Sequence, residues 1–231
     1  MNLLAIDTST EVLSLAVQKG DEWFTSDTLA GQTHSQLILP NIRQLLNEAG
    51  LALQDLDGIA YGEGPGSFTG LRIACGVVQG LAFGASLPVV GVSTLLALAQ
   101  NSGANKVIAC LDARMGEVYH AAYQKEDHGW QEISPAGLFK PQEVPTITGQ
   151  HWVGVGTGWV TFQTVLSQVY QANLNEIKLG ELIYDHSVAK AILQLAKPQF
   201  EVGLGLAAIN AQPVYIRNKV ALKTSERPPK T

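Results

Sequence analysis

Two rhythms of apolar and polar positions alternate along the chain. Residues 2–7 (NLLAID) are apolar almost throughout and end on an acid. Thr8-Ser9-Thr10 interrupts them, and residues 11–18 (EVLSLAVQ) resume, which predicts strand, turn and strand. Residues 21–28 predict a third antiparallel strand. From 34 to 49 the rhythm changes: apolar side chains at 38, 42, 45 and 49 keep helical spacing, and Gly50 is the stop. A short buried strand at 58–61, a tight loop at 62–66 and a helix at 69–84 follow. A strand at 88–91 and a helix capped by Ser93 and running to Gln100 complete the series. The order βββαβαβα describes an α/β lobe with a mixed sheet, antiparallel in its first strands and parallel later.

The opening pattern recurs. Residues 106–112 (KVIACLD) are again an apolar strand ending in Asp, Ala113-Arg114-Met115-Gly116 turns, and residues 117–124 (EVYHAAYQ) return. Glu-Val, Ala and Gln repeat in register with one inserted residue. A duplicated lobe is the expectation, with an N-terminal lobe at 1–104 and a C-terminal lobe at 105–231. The second lobe is less legible. A strand at 151–155 and a helix from Tyr184 to Ala196 are predicted, and the Pro and Gly residues between them predict a smaller, irregular lobe.

Composition narrows the class. Of 231 residues, 46% are hydrophobic and 15% charged, enough for a sizeable core. The net charge of −5 argues against a stand-alone nucleic-acid binder, which needs clustered Lys and Arg. The charge is uneven. Residues 217–231 hold Arg217, Lys219, Lys223, Arg227 and Lys230 against Glu226 alone, a net +4 that leaves −9 on residues 1–216. Such a tail is either a solvated terminus or a contact to RNA or a partner. Tyr215 and Ile216 ahead of it read as an anchoring strand. Cys75 and Cys110 sit in apolar runs as buried thiols do, with no zinc or disulfide spacing. Residues 1–7 have no basic region of a signal peptide, and no run of 18 apolar residues occurs, so a cytoplasmic protein is expected.

The most specific local feature is Gly62-Glu63-Gly64-Pro65-Gly66-Ser67-Phe68-Thr69-Gly70. It lacks the Gly-Lys-Ser/Thr of a P-loop, the third Gly of a dinucleotide fingerprint and the flanking glycines of a nucleophile elbow, so a structural turn capped by Ser67 or Thr69 is the better reading. Helix 69–84 carries Gly76, Gly80 and Gly84 at successive turns, each costing about 1 kcal/mol relative to Ala. Ile73, Val77 and Leu81 form a ridge beside them, and Leu71, Val78 and Ala82 lie on another side. A helix apolar nearly all round is buried nearly all round. Either the two lobes clamp it, or its far side packs against another chain, together with helix 34–49. His34 stands at a helix start for local hydrogen bonding. His120, His128, His151 and His186 form no ligand pair. Asp7 and Asp112 are a candidate carboxylate pair facing one cleft. The turns after them, with Ser9 and Arg114, are poor for phosphate, so the nucleotide signal is weak.

The segments 4–10 (LAIDTST), His34-Ser35 with Leu39-Pro40, 64–72 (GPGSFTGLR) and 213–221 (PVYIRNKVA) together resemble the TsaB family, the glycoprotease-like proteins of bacterial tRNA threonylcarbamoyladenosine biosynthesis. The resemblance covers residues 1–100 and 213–223 well and the middle loosely. It implies the ASKHA fold, a duplicated actin-like lobe pair. The catalytic relative TsaD carries two metal-binding His residues just after the strand at 88–91. Laid on this chain, those positions are Thr94 and Leu98. The resemblance therefore implies a non-catalytic scaffold with no metal and no cofactor. It implies that the first two helices bind TsaD, that the ATPase TsaE joins the pair, and that tRNA is met only within the complex. The assembly would transfer threonylcarbamoyl to N6 of adenosine 37 in tRNAs reading codons that begin with A. The expected partner-binding residues are Ser35, Leu39, Ile42 and Leu46 on the first helix and Leu71, Ile73, Gly76, Val77, Gly80 and Leu81 on the second. A homodimer through the same face is expected in isolation. The alternative is an ATP-dependent small-molecule kinase of the same fold.

Overall fold

The computed structural model describes residues 1–178 and 188–217. The basic tail beyond Arg217 and positions 184–187 of the expected last helix lie outside the described residues. β1 (Asn2–Asp7), β2 (Val12–Lys19) and β3 (Glu22–Leu29) form an antiparallel meander. β4 (Gly58–Gly64) and β5 (Val89–Ser93) add to it in parallel, in the order β3-β2-β1-β4-β5. β6 (Lys106–Asp112), β7 (Val118–Glu126) and β8 (Gly129–Phe139) repeat the meander. β9 (Trp152–Val155) and β10 (Leu174–Lys178) repeat the parallel pair, in the order β10-β9-β6-β7-β8. The sequence repeat is thus a duplicated sheet topology, and the first lobe follows βββαβαβα throughout.

Five apolar side chains on one face of the first sheet, Leu4, Ile6, Leu13, Leu15 and Val17, are covered by α1 (His34–Glu48) and α2 (Phe68–Ala85). On its other face Leu3, Ala5, Ala60 and Val90 pack against α6 (Val188–Glu201). α3 (Thr94–Asn101) packs against α6 and against β6 and β7 of the second sheet. The opposite face of that sheet is covered by α4 (Thr157–Thr161) and α5 (Gln163–Val169), short helices around Trp159, Leu166 and Tyr170. α3 and α6 therefore form the layer between the lobes. Position 104/105 divides the sheets in sequence, but α6 crosses back to cover the first one.

Two expectations need correction. α2 is not clamped between the lobes, because that space holds α3 and α6 and α2 lies on the outer face of the first sheet. Tyr215 and Ile216 are not in a strand; that segment is held by the Val214 amide, which donates to the Glu63 carbonyl at 2.7 Å, and by side chains described below. α2 is also, by length and composition, apolar enough to cross a membrane. It is instead the crossover of a βαβ unit: β4 and β5 pair in parallel at its two ends, and its inner face (Ala74, Cys75, Val78, Ala82) is core.

Candidate functional site

The three segments that carry the sequence motifs meet in space. The Ser67 amide donates to the Ser9 carbonyl at 2.7 Å, and the Thr8 hydroxyl donates to the Gly70 carbonyl at 2.7 Å. Ser67 Oγ caps α2 by accepting from the Gly70 amide at 3.3 Å. A Cβ at Gly66 or Gly70 would overlap the backbone of Ser9 or Thr8, so the glycines there are required by close approach. The Arg72 guanidinium lies 3.8 Å from the Phe68 ring centroid, its Nε donates to the Tyr215 hydroxyl at 2.8 Å, and the Phe68 and Tyr215 rings pack at a tilt with centroids 5.2 Å apart. Arg217 then pairs with Glu117 at 2.7 Å across to the second lobe. The glycine-rich loop is a clasp that joins the first turn, α2 and the C-terminal segment. The first turn of α2 abuts the chain's own Thr8-Ser9 turn rather than presenting a free anion site.

The cleft between the two Asp-bearing turns is nearly closed. Asp7, Leu98, Leu111 and Val188 line a cavity of ≈ 30 Å³. Ser9 Oγ donates to Asp7 Oδ2 at 2.8 Å, whereas Oδ1 has no hydrogen-bond partner. Asp112 is held by Arg114, whose amide donates to Oδ1 at 2.8 Å and whose guanidinium also reaches Glu11 of the other lobe at 3.4 Å. Thr94 is buried at the start of α3, and Leu98 points apolar carbon at the cleft. A hydroxyl and an isobutyl group at these positions, with an Arg on the second Asp, do not fit a metal–nucleotide site. Among the described residues no three His, Cys, Asp or Glu side chains converge. His34, expected to bond locally, is buried with Nε2 unpaired.

Burial raises the Asp7 carboxyl from 3.8 to about 6, against the lowering effect of the Ser9 bonds. The folded protein therefore keeps a proton that the unfolded chain has lost, and this contribution to stability falls as pH rises from about 4 to about 6. Buried His120, bonded at Nε2 to the Tyr170 hydroxyl at 2.8 Å, is pushed down to about 4 and acts with opposite sign: its contribution is lost as pH falls from 6.5 to 4. Asp7→Asn removes only the first effect. Its stability relative to wild type should gain about 2–3 kcal/mol between pH 4 and pH 7, read from urea unfolding at each pH. A difference constant with pH would contradict it.

The α1/α2 surface has a different character. Gly76, Gly80 and Gly84 have nothing within 4 Å of where a Cβ would stand. The stripe is open to solvent, and the ridge of Ile73, Val77 and Leu81 beside it is only partly buried against the core. Ser35 and Leu39 are exposed on α1, Leu39 by 52%. Ile42, Leu46 and Leu71 are buried within the lobe, so they support the face from beneath and do not form it. Sequence reasoning missed Phe83, which is 83% exposed on α2. The signal was available: Phe83 stands three residues after Gly80, on the same helical side.

The family model described as TsaD, tRNA N6-adenosine threonylcarbamoyltransferase, matches residues 27–165. The TsaB protein of Escherichia coli is 40% identical over 96% of this chain and 97% of its own length; that of Haemophilus influenzae is 37% identical over 96% of each. Among solved structures, a Pseudomonas aeruginosa protein described as similar to the peptidase YeaZ superposes with a TM-score of 0.84 at 38% identity, covering 94% of this chain and 99% of that one. An activator of 2-hydroxyisocaproyl-CoA dehydratase from Clostridium difficile, with bound ADPNP, superposes at 0.51 over 88% of this chain and 97% of its own at 8% identity, a likeness of fold alone.

Proposed function

We propose a function from the premise that this chain belongs to the TsaB family of tRNA threonylcarbamoyladenosine biosynthesis proteins, within the wider group that the TsaD-type family model describes. In that pathway it acts as a scaffold and not as the transferase. Its α1/α2 face binds TsaD, TsaE joins the pair, and the assembly transfers threonylcarbamoyl to N6 of adenosine 37 in tRNAs reading codons that begin with A. The observation that carries this reading is the open glycine stripe of α2. Three helix-interior glycines are unfavourable for an isolated helix, and nothing in the described chain fills the space they leave. A partner helix seated there would recover the cost through close backbone packing. Sedimentation of this chain with TsaD tests it: a stoichiometric complex at micromolar concentration is expected, and independent migration at tens of micromolar would contradict it.

Without TsaD the same face pairs with a second copy, since an exposed apolar patch is a liability in a free monomer and a two-fold axis would bury it on both copies. The expected result is a dimer at tens of micromolar, in the range where weak pairs form; a strict monomer there contradicts this. The chain has no phosphotransferase activity of its own: incubated with ATP and a panel of alcohols and carboxylates, it should release no ADP above the blank.

A further inference from the structure

A second cavity lies across α3 from the Asp7 cleft. Leu98 faces the cleft and Leu96 faces this cavity, two residues and so about 200° apart around the helix. The cavity measures ≈ 400 Å³. That lies within the range of roughly 300–1,000 Å³ typical of small-molecule sites. Both lobes build it. Glu63, in the clasp loop at the end of β4, and Ser93, at the end of β5, come from the first sheet; Tyr123 on β7 and Trp130 and Glu132 on β8 come from the second.

Among the described residues the lining has two carboxylates and no Lys, Arg or His. Neither Glu63 nor Glu132 is in an ion pair with any described residue. Lys125 Nζ, 5.7 Å from the Trp130 ring centroid, does not line the cavity. The walls are held in place by hydrogen bonds: Trp130 Nε1 donates to Gln100 Oε1 at 2.8 Å, the Ala136 amide donates to Glu132 Oε1 at 3.2 Å, and Tyr123 bonds the Ser93 side chain. Negative charge that no described residue pairs, in a half-enclosed space beside aromatic faces, attracts a cation twice, through Coulomb attraction and through the ring quadrupoles, and repels an anion.

We propose that this interlobe cavity binds a small organic monocation, an alkylammonium or alkylguanidinium, with its charge against Glu63 and Glu132 and its alkyl chain against Leu96 and Trp130. The site is independent of the α1/α2 face, so a Gly80→Leu protein binds the cation as wild type does. Calorimetric titration of the full-length protein with n-butylammonium and n-butylguanidinium tests it, with n-butanol and butyrate as neutral and anionic controls. Saturable binding of the cations at a single site is expected, with a Kd of about 1 mM or tighter. Glu63→Gln and Glu132→Gln, which keep shape and remove charge, should each weaken it about ten-fold. Because either variant could disturb the fold, the wild-type protein supplies a second readout: the Trp130 indole N–H resonance shifts with the cations and not with butanol or butyrate. Absence of saturable binding up to about 20 mM, unchanged affinity in both folded variants, or no response at the Trp130 indole would each overturn the proposal.

Discussion

Gly80→Leu should abolish pairing with TsaD while leaving the isolated chain at least as stable as wild type. The two halves of this prediction rest on one fact, that a Cβ at position 80 meets nothing within 4 Å. In the free monomer the new Cβ meets open space, and the side chain is directed away from the chain's own core. The exchange of Gly for Leu in a helix interior gains up to about 1 kcal/mol from backbone entropy alone. In a complex where another helix lies across the stripe, the same side chain occupies the partner's place, and closely packed surfaces do not absorb four extra carbons cheaply. A loss of at least about 100-fold in affinity is expected, near 3 kcal/mol. Sedimentation gives the affinity and thermal unfolding gives the stability. Raised Tm with intact pairing would place the partner surface elsewhere.

Gly70→Ala should do the reverse, damaging the fold at a position that no partner needs. Here a Cβ would overlap the Thr8 carbonyl, and backbone on both sides is fixed by the Thr8–Gly70 and Ser9–Ser67 hydrogen bonds. Overpacking of this kind costs about 3 kcal/mol or more. For a chain of this size that lowers Tm by roughly 6–12 °C. Gly76→Ala, on the same helix but open to solvent, should be neutral or slightly stabilising. Equal Tm values for the two alanine variants would contradict the clasp.

The first lobe was legible because its strands other than β3 are apolar runs and its breaks are Gly, Pro and Thr-Ser turns. The repeat was legible because the two Asp-ending hairpins retain Glu-Val and Gln at corresponding places. The second lobe was harder for physical reasons. β8 contains Pro135 and Gly137, which read as loop. β10 is an edge strand with Glu176 and Lys178 and little apolar alternation. α4 and α5, of five and seven residues, are too short to show a helical period.

At the candidate surface, composition revealed the stripe but not its direction. A helix apolar on every side does not say which side meets its own sheet. The pattern alone puts Leu71 on the surface, where the fold makes it core, and gives no weight to Phe83, the most exposed aromatic on the helix. Ile42 and Leu46 followed the same error on α1: apolar at helical spacing describes the inward face first. The Glu63–Glu132 cavity left no local trace, since its walls come from two sheets joined only by the fold.

On the function proposed above, this chain serves tRNA modification through the α2 face and not through chemistry of its own. The direct measurement is mass-spectrometric quantification of threonylcarbamoyladenosine in tRNA incubated with threonylcarbamoyl-AMP, TsaD, TsaE and ATP, with wild-type chain, Gly80→Leu chain or neither. Formation with wild type, and a common background for Gly80→Leu and for omission, is the predicted result. Full formation with Gly80→Leu, or formation by this chain with TsaD left out, would contradict it.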